Sequence, residues 1–499
     1  MKRHAMLVAG TSSSAGKSMI TTGIARALSN AGLRVAPFKG QNMALNSYVT
    51  VEGGEIGRAQ ASQAMAARVC PEVSMNPVLL KPTSHTSSSV VVMGQHSHEL
   101  GAMDYQSRKA ELVGVVDSAF EDLASRFDAV ICEGAGSPAE INLLENDLVN
   151  LGFAARSGIP ALLVGDIDRG GVFASLFGTI AILPDELSSL IRALAINKFR
   201  GDRALLQPGI DRLMDMTGLP VLGVIPFASG LGSDAEDSLG LSELFAIADR
   251  RPPTSDLLRV GVVALPYISN FTDFEPLVHE QNLDVRLLAS PSGVHDCDLI
   301  VIPGTKATVA DLAFLRVSGF AKAIADHLDR GGSVMGICGG YQMLTAEIYD
   351  TVESGVGRVS GLGIIPSTTA FSGTKVLTQA IGTLGSGFSS EEALGYQIHF
   401  GKVAPVPGKA LLGGFRANGA NEAREEGYLQ GGVAATTLHG IFDSDGAREA
   451  ILAYFAKRAG KSFSSSFSFG AHRELYFDRC AELVTTHIGL DPIYGLLGL

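Results

Sequence analysis

Apolar residues in the first half of the chain fall into short runs, each bounded by Gly, Pro or Asp. Ala5–Ala9, Arg34–Pro37, Val90–Met93, Ala129–Cys132, Ala161–Gly165, Ala193–Asn197 and Val221–Ile225 are the clearest. Segments of helical character, such as Ser18–Ala31 and Leu148–Ser157, lie between several of them. Short apolar runs alternating with helices predict a parallel sheet covered on both faces, with loop chemistry at the carboxyl ends of its strands. Ser233–Leu258 is polar and acidic, ends in Arg250-Arg251-Pro252-Pro253, and reads as a linker. The rhythm then restarts with Val260–Leu265, Leu299–Ile302 and Ser333–Ile337. Beyond Phe442 two helical stretches, Ala447–Arg458 and Glu474–His487, flank a Ser/Phe-rich loop at Ser462–Phe469. The pattern therefore predicts an α/β protein of two doubly wound, mostly parallel-sheet domains in tandem. The first covers residues 1–232, the linker 233–258 and the second domain 259–445. A helical C-terminal extension, 446–499, is expected to pack on the second domain.

Composition narrows the possible partners. The 499 residues exceed one ordinary core, which agrees with two domains. A formal charge of −12 argues against a nucleic-acid surface, because phosphate backbones need clustered Lys and Arg. The five cysteines, Cys70, Cys132, Cys297, Cys338 and Cys480, are odd in number and form no CxxC pair. That usage points to a reduced, cytoplasmic protein with neither disulfides nor a zinc site. No apolar stretch approaches the ~18 residues a bilayer requires, so no membrane partner is expected.

Gly10-Thr11-Ser12-Ser13-Ser14-Ala15-Gly16-Lys17-Ser18 follows a strand and opens a helix. In that context successive backbone N–H groups and the helix N-terminus face phosphates. Lys17 would reach the β- and γ-phosphates of ATP, and the Ser18 hydroxyl would bind Mg²⁺. Five residues rather than four separate Gly10 from Gly16, as in dethiobiotin synthetase-like P-loops. Glu133, which ends the run Ala129–Cys132 before Gly134-Ala135-Gly136, is the second expected magnesium ligand. Asp166 and Asp168 are next in line. Asn197, at a strand's carboxyl end, is either an adenine-edge partner or an ordinary turn residue.

In the second half, Ser333–Ile337 runs into Gly336-Ile337-Cys338-Gly339-Gly340 and then into a helix. This is the spacing of a nucleophile elbow, where glycines permit the sharp turn that lifts a side chain clear of the sheet. An isolated cysteine usually just packs, but the glycines flanking Cys338 mark it as a nucleophile, and the helix N-terminus behind it favours the thiolate. Backbone N–H groups of Gly304 and Gly339 are candidates for an oxyanion hole. His439, in Thr437-Leu438-His439-Gly440, is the expected general base and acid. His399, in Tyr396-Gln397-Ile398-His399, is a competing histidine.

With these motifs in hand, the chain resembles the cobyrinic acid amidating family, in which a dethiobiotin synthetase-like P-loop domain precedes a Cys–His class I glutaminase. The likeness rests on Gly10–Ser18, Lys39–Ser47, Gly53–Gln60, Asn76–Pro82, Asp166–Phe173 and the Cys338 and His439 motifs. It implies ATP, Mg²⁺ and glutamine as ammonia donor, with a corrinoid substrate. The reaction implied is amidation of the b, d, e and g carboxylates of adenosylcobyrinic acid a,c-diamide through acyl phosphates. Lys39, Arg58, Lys81 and Arg169 are the cations expected to meet substrate carboxylates, each of them also open to a structural role. The alternatives are the sister a,c-diamide synthase, or a P-loop switch protein with an inactive glutaminase module. Two positions depart from the resemblance. Ile441 stands two residues after the histidine, where many class I glutaminases carry Glu, and Gln397 stands where relatives have Glu. A Cys–His dyad without a carboxylate orienter is therefore expected, and what holds the His439 tautomer is left open.

Overall fold

The computed structural model describes residues 3–82, 87–228, 238–248, 256–385, 388, 390–465 and 467–499. The chain divides into two compact units. The first comprises Met1–Ala44, Glu55–Asp234 and Arg473–Leu499; the second comprises Leu45–Gly54 and Ala235–His472.

The core of the first unit is a six-stranded, all-parallel sheet. From edge to edge its strands are Val221–Pro226, Ile191–Phe199, Ala161–Asp166, Ala5–Gly10, Ala129–Glu133 and Val35–Phe38. Every residue of Ala5–Gly10 is buried, because helices cover both faces and leave no side for polar alternation. Three neighbouring strands end at Gly10, Glu133 and Asp166, so their loops share one edge of the sheet. The run Val90–Met93 does not join this sheet. It falls in the strand Ser87–Val92, within a smaller sheet with Gln41–Met43, Val78–Pro82 and Gln95–Gly101, where it pairs antiparallel on both sides.

The C-terminal extension departs from expectation. Only its first part, including the helix Asp445–Arg458, groups with the second unit, whereas Arg473–Leu499 groups with the first. There Val484, Ile488, Ile493 and Leu497 share a core with Met6, Val8, Ile20 and Ile24. Buried Arg26 fixes the register by pairing with Glu474 at 2.6 Å and Asp478 at 2.8 Å. An amphipathic tail shows which of its faces is apolar, but not which sheet will cover it.

The second unit has its own six-stranded sheet, in the order Leu283–Leu288, Leu258–Val263, Leu299–Ile302, Ser333–Ile337, Val433–Thr436 and Tyr428–Gln430. All pairings are parallel except the last. A second, mostly antiparallel sheet built from strands between Thr345 and Glu426 was not foreseen. Of the expected linker, residues 233–237 and 249–255 lie outside those described. Between them stands a helix, Ser238–Ala248, whose Leu241, Leu244 and Phe245 belong to the second unit's core. Buried Arg448 bonds Glu280 at 2.9 Å and the carbonyls of Phe442 and Phe467 at 2.8 Å, tying Asp445–Arg458 to this unit. Among the described residues no helix is long and apolar enough to cross a membrane.

Candidate active site

In the first unit the loop after Ala5–Gly10 leads into the helix Lys17–Asn30. Gly16 has φ 91°, and a Cβ there would lie 2.1 Å from the Asn197 amide nitrogen, so both backbone and space require glycine. The Asn197 amide donates to the Ala15 carbonyl at 2.9 Å, and its oxygen accepts from the Lys198 N–H at 2.8 Å. Asn197 is thus a strut beneath the loop rather than a side chain held out toward a base. Lys198, which sequence reasoning missed, extends the brace by bonding the Ser14 carbonyl and Asp166. Lys17 donates to the carbonyls of Ser12, Ser13 and Gly136, at 2.9, 3.3 and 3.0 Å.

Glu133 is fully buried at the end of its strand. The Ser18 hydroxyl donates to it at 2.9 Å, the Lys39 ammonium at 3.0 Å and the Gln63 amide at 2.5 Å. Burial pushes its pKa up, but Lys39, Gln63 and Lys17 outweigh that and hold it below the usual carboxylate range. A charged carboxylate and a hydroxyl sharing one edge beside the P-loop suit a magnesium ion. Asp166, the reserve candidate, is instead occupied by Lys198 and by the Asp168 N–H.

The expected substrate cations are only partly available. Lys39 is buried against Glu133, and Lys81 is buried against Glu55 at 2.7 Å. Contrary to expectation, both stand in internal ion pairs rather than facing a substrate, because a buried charge must be matched at once. Arg58 is also buried, at the start of the helix Arg58–Ala66. Arg169 alone of the four is exposed, 3.8 Å from Asp166.

In the second unit Cys338 has φ 50° and ψ −106°, a strained elbow between the strand Ser333–Ile337 and the helix Gly339–Leu344. His439 is near enough to Cys338 for the two to interact electrostatically, and it lies against Gly304, where a Cβ would sit 2.9 Å from the ring. Gly339 begins the helix behind the thiol and abuts Thr305, the residue after Gly304. The structure therefore gathers Cys338, His439, Gly304 and Gly339 in one place.

It also overturns the expectation of a dyad without a carboxylate orienter, because a carboxylate distant in sequence holds the ring. Asp273 accepts from His439 Nδ1 at 2.7 Å with one oxygen and from the Gly440 N–H at 2.9 Å with the other. Burial alone would lower the His439 pKa, but the charges of Asp273 and Cys338 prevail and raise it to about 10. His439 therefore holds its proton before substrate arrives. Ile441, in the position of the missing glutamate, is wholly buried in the core.

Asp273 sits in the short turn Phe271–Phe274, which is braced from far upstream. The Asn46 side chain accepts from the Phe271 N–H at 3.0 Å, and Asn270 accepts from the Ser47 N–H at 2.8 Å. Tyr396 stacks on the His439 ring and donates to the Ser47 carbonyl at 2.9 Å. The end of the Lys39–Ser47 stretch thus serves the thiol site.

Fold and site together define a glutamine amidotransferase unit joined to a P-loop nucleotide-binding unit. Comparison agrees over both halves. Residues 6–240 match the CobQ/CobB/MinD/ParA nucleotide binding domain, and residues 259–447 match the CobB/CobQ-like glutamine amidotransferase domain. The cobyric acid synthase of Mycolicibacterium paratuberculosis is 47% identical over 99% of this chain and 96% of its own length. That of Saccharopolyspora erythraea is 48% identical over 99% of this chain and 94% of its own. That of Rhodococcus jostii is 47% identical, over 99% and 96%. The chain belongs to the cobyric acid synthase family, the ATP-dependent, glutamine-hydrolysing amidating enzymes of cobalamin biosynthesis.

Proposed function

We propose that this protein amidates the b, d, e and g carboxylates of adenosylcobyrinic acid a,c-diamide in the cytoplasm, using one glutamine and one ATP per amide. The observation that carries the reading is the buried Cys338–His439–Asp273 array in a chain that also holds a complete P-loop. The Cys338 thiolate attacks the glutamine γ-carboxamide, and the oxyanion that develops faces the backbone N–H groups of Gly339 and Gly304. His439 gives its proton to the departing nitrogen, releasing ammonia and leaving a glutamyl thioester for water to cleave. At the other site a substrate carboxylate takes the γ-phosphoryl group of ATP, ADP leaves, and ammonia displaces phosphate from the acyl phosphate. Lys17 exchanges its loop carbonyls for phosphate oxygens. Ser18 and Glu133 would hold Mg²⁺, which when bound neutralises charge on the β- and γ-phosphates. Arg169 is the exposed cation best placed for a corrinoid carboxylate. Incubation with glutamine, MgATP and each corrinoid acid, followed by mass spectrometry, counts the amides added. Four additions to the a,c-diamide are expected, and additions at only two carboxylates of cobyrinic acid would move the reading to the a,c-diamide synthase.

Two variants test individual roles. Asp273→Asn removes the larger of the two charge effects that raise His439, so glutamine-driven turnover falls on the order of 10³-fold. A histidine held protonated up to about pH 10 loses its proton only above neutrality. The alkaline limb of the wild-type pH profile should therefore lie well above the ordinary histidine range and move down toward it in the variant. An unchanged limb would show that Asp273 does not set the proton on His439. Glu133→Gln keeps the size of the side chain but loses the charge. Amidation with glutamine or with ammonia should drop on the order of 10²-fold and need more Mg²⁺. Near-normal rates at low Mg²⁺ would shift the ligand role elsewhere.

A further inference from the structure

Glu275, His279 and His472 take no part in the chemistry above, and all three belong to the second unit. Glu275 and His279 stand at the two ends of the helix Glu275–His279, four positions apart and so on one face of it. His472 comes from far along the chain, and its ring centroid lies 4.0 Å from that of His279. One nitrogen of each imidazole and a carboxylate oxygen of Glu275 all fall within 4.8 Å of one another. Among the described residues this is the only such group of His, Cys, Asp or Glu side chains. All three are half-buried, shielded enough to hold an ion and open enough to admit one.

The frame around them is fixed from both sides by one residue. Buried Arg448 donates to Glu280, the neighbour of His279, at 2.9 Å, and to the Phe467 carbonyl, a short way before His472, at 2.8 Å. Ser465 also donates to Glu280, at 2.5 Å, so that carboxylate is already engaged. The Phe467 ring packs on both imidazoles, 6.1 Å from His279 and 5.3 Å from His472. Ligands held in this way by packing and hydrogen bonds meet an ion with little further loss of freedom.

We propose that Glu275, His279 and His472 bind one divalent transition-metal ion of the Zn²⁺ type, with water completing its coordination. Two imidazole nitrogens and a carboxylate suit such a borderline ion, whereas Mg²⁺ and Ca²⁺ prefer oxygen throughout. Bonds of about 2.1 Å put two donors on one zinc ion at most about 4.2 Å apart, so a small closure of the side chains is enough to seat it. The chain's cysteine usage speaks against zinc held by thiolates, and this group contains none. The role is structural: the ion ties the helix Glu275–His279 to the segment that carries His472. Glu275 directly follows the turn Phe271–Phe274, so the ion also pins the end of the turn that presents Asp273 to His439.

The test uses the untagged full-length chain, stripped of metal by a chelator and dialysed against Zn²⁺ with excess Mg²⁺ present. Bound ions are counted by elemental mass spectrometry. The comparison is made in a Cys338→Ala background, so that the thiol of the other site cannot capture the probe. This parent should take up one Zn²⁺ tightly and gain several degrees in Tm from it. His279→Ala and His472→Ala should each weaken the binding on the order of a hundredfold or more and lose the gain in Tm. Glu275→Gln, which leaves both rings in place, should weaken it at least tenfold and covers the case in which an alanine variant fails to fold. Equal Zn²⁺ uptake by the parent and all three variants would put the ion elsewhere and overturn the proposal. A parent that takes up no Zn²⁺ would overturn it as well.

Discussion

Lys17→Ala should abolish amide formation with glutamine and with free ammonia alike, a loss on the order of 10³-fold or more. The side chain ends at the P-loop carbonyls of Ser12 and Ser13 and at Gly136, beside the Ser18–Glu133 pair. Nothing else described in the loop combines a positive charge with that reach, because Lys39 is held on Glu133 and Lys198 on Ser14 and Asp166. Without the ammonium, charge building on the transferring phosphoryl group is unmatched, no acyl phosphate forms, and ammonia from any source finds no electrophile. Lys17→Arg should not rescue, since a planar fork does not fit a cradle built around a compact ammonium. Glutamine hydrolysis should persist, because Cys338, His439 and Asp273 all lie in the other unit. The check is to measure amide formation and glutamate release in one preparation. Substantial amidation by Lys17→Ala would end the ATP-site assignment.

The parts of this architecture that were legible in the sequence are those whose physics is local. A strand buried on both faces must be a short apolar run, so Ala5–Ala9 and Ser333–Ile337 announced themselves. Glycines around Lys17 and Cys338 marked turns that only glycine allows. The second unit's extra sheet was missed for the opposite reason. Ile365–Leu384 alternates buried and exposed positions over its first six residues, and its polar residues hide it from a search for continuous apolar runs. Long-range pairing was illegible altogether. Asp273 and His439 are 166 positions apart, and neither the sequence around Asp273 nor the loss of Glu at Ile441 says that one replaces the other. Lys39 and Lys81 misled because a lysine among polar residues reads the same in sequence whether it meets a ligand or a buried Glu. Asn197 misled similarly: its strand-end position was read correctly, but its partner is the P-loop backbone.

Cys338→Ala separates the two half-reactions more sharply than any other change. Glutamine-driven amidation should fall on the order of 10⁴-fold or more, since alanine leaves nothing to attack the carboxamide. The fold should hold, because the φ of 50° at this position is tolerated by the surrounding elbow and the cavity left by one sulfur is small. Removing the thiolate also removes one of the two charges that raise His439, so the variant's imidazole should titrate lower than the wild type's. That shift can be followed by NMR on the folded protein, independently of turnover. The P-loop, Glu133 and Lys39 are untouched in the other unit, so acyl phosphate formation should continue. An ammonium salt at alkaline pH, where free ammonia is abundant, should therefore restore amidation that glutamine cannot support. A cysteine that merely packed would instead damage both routes together or neither. Continued use of glutamine by Cys338→Ala would mean that the attacking group is another residue, and the whole Cys338–His439–Asp273 assignment would have to be given up.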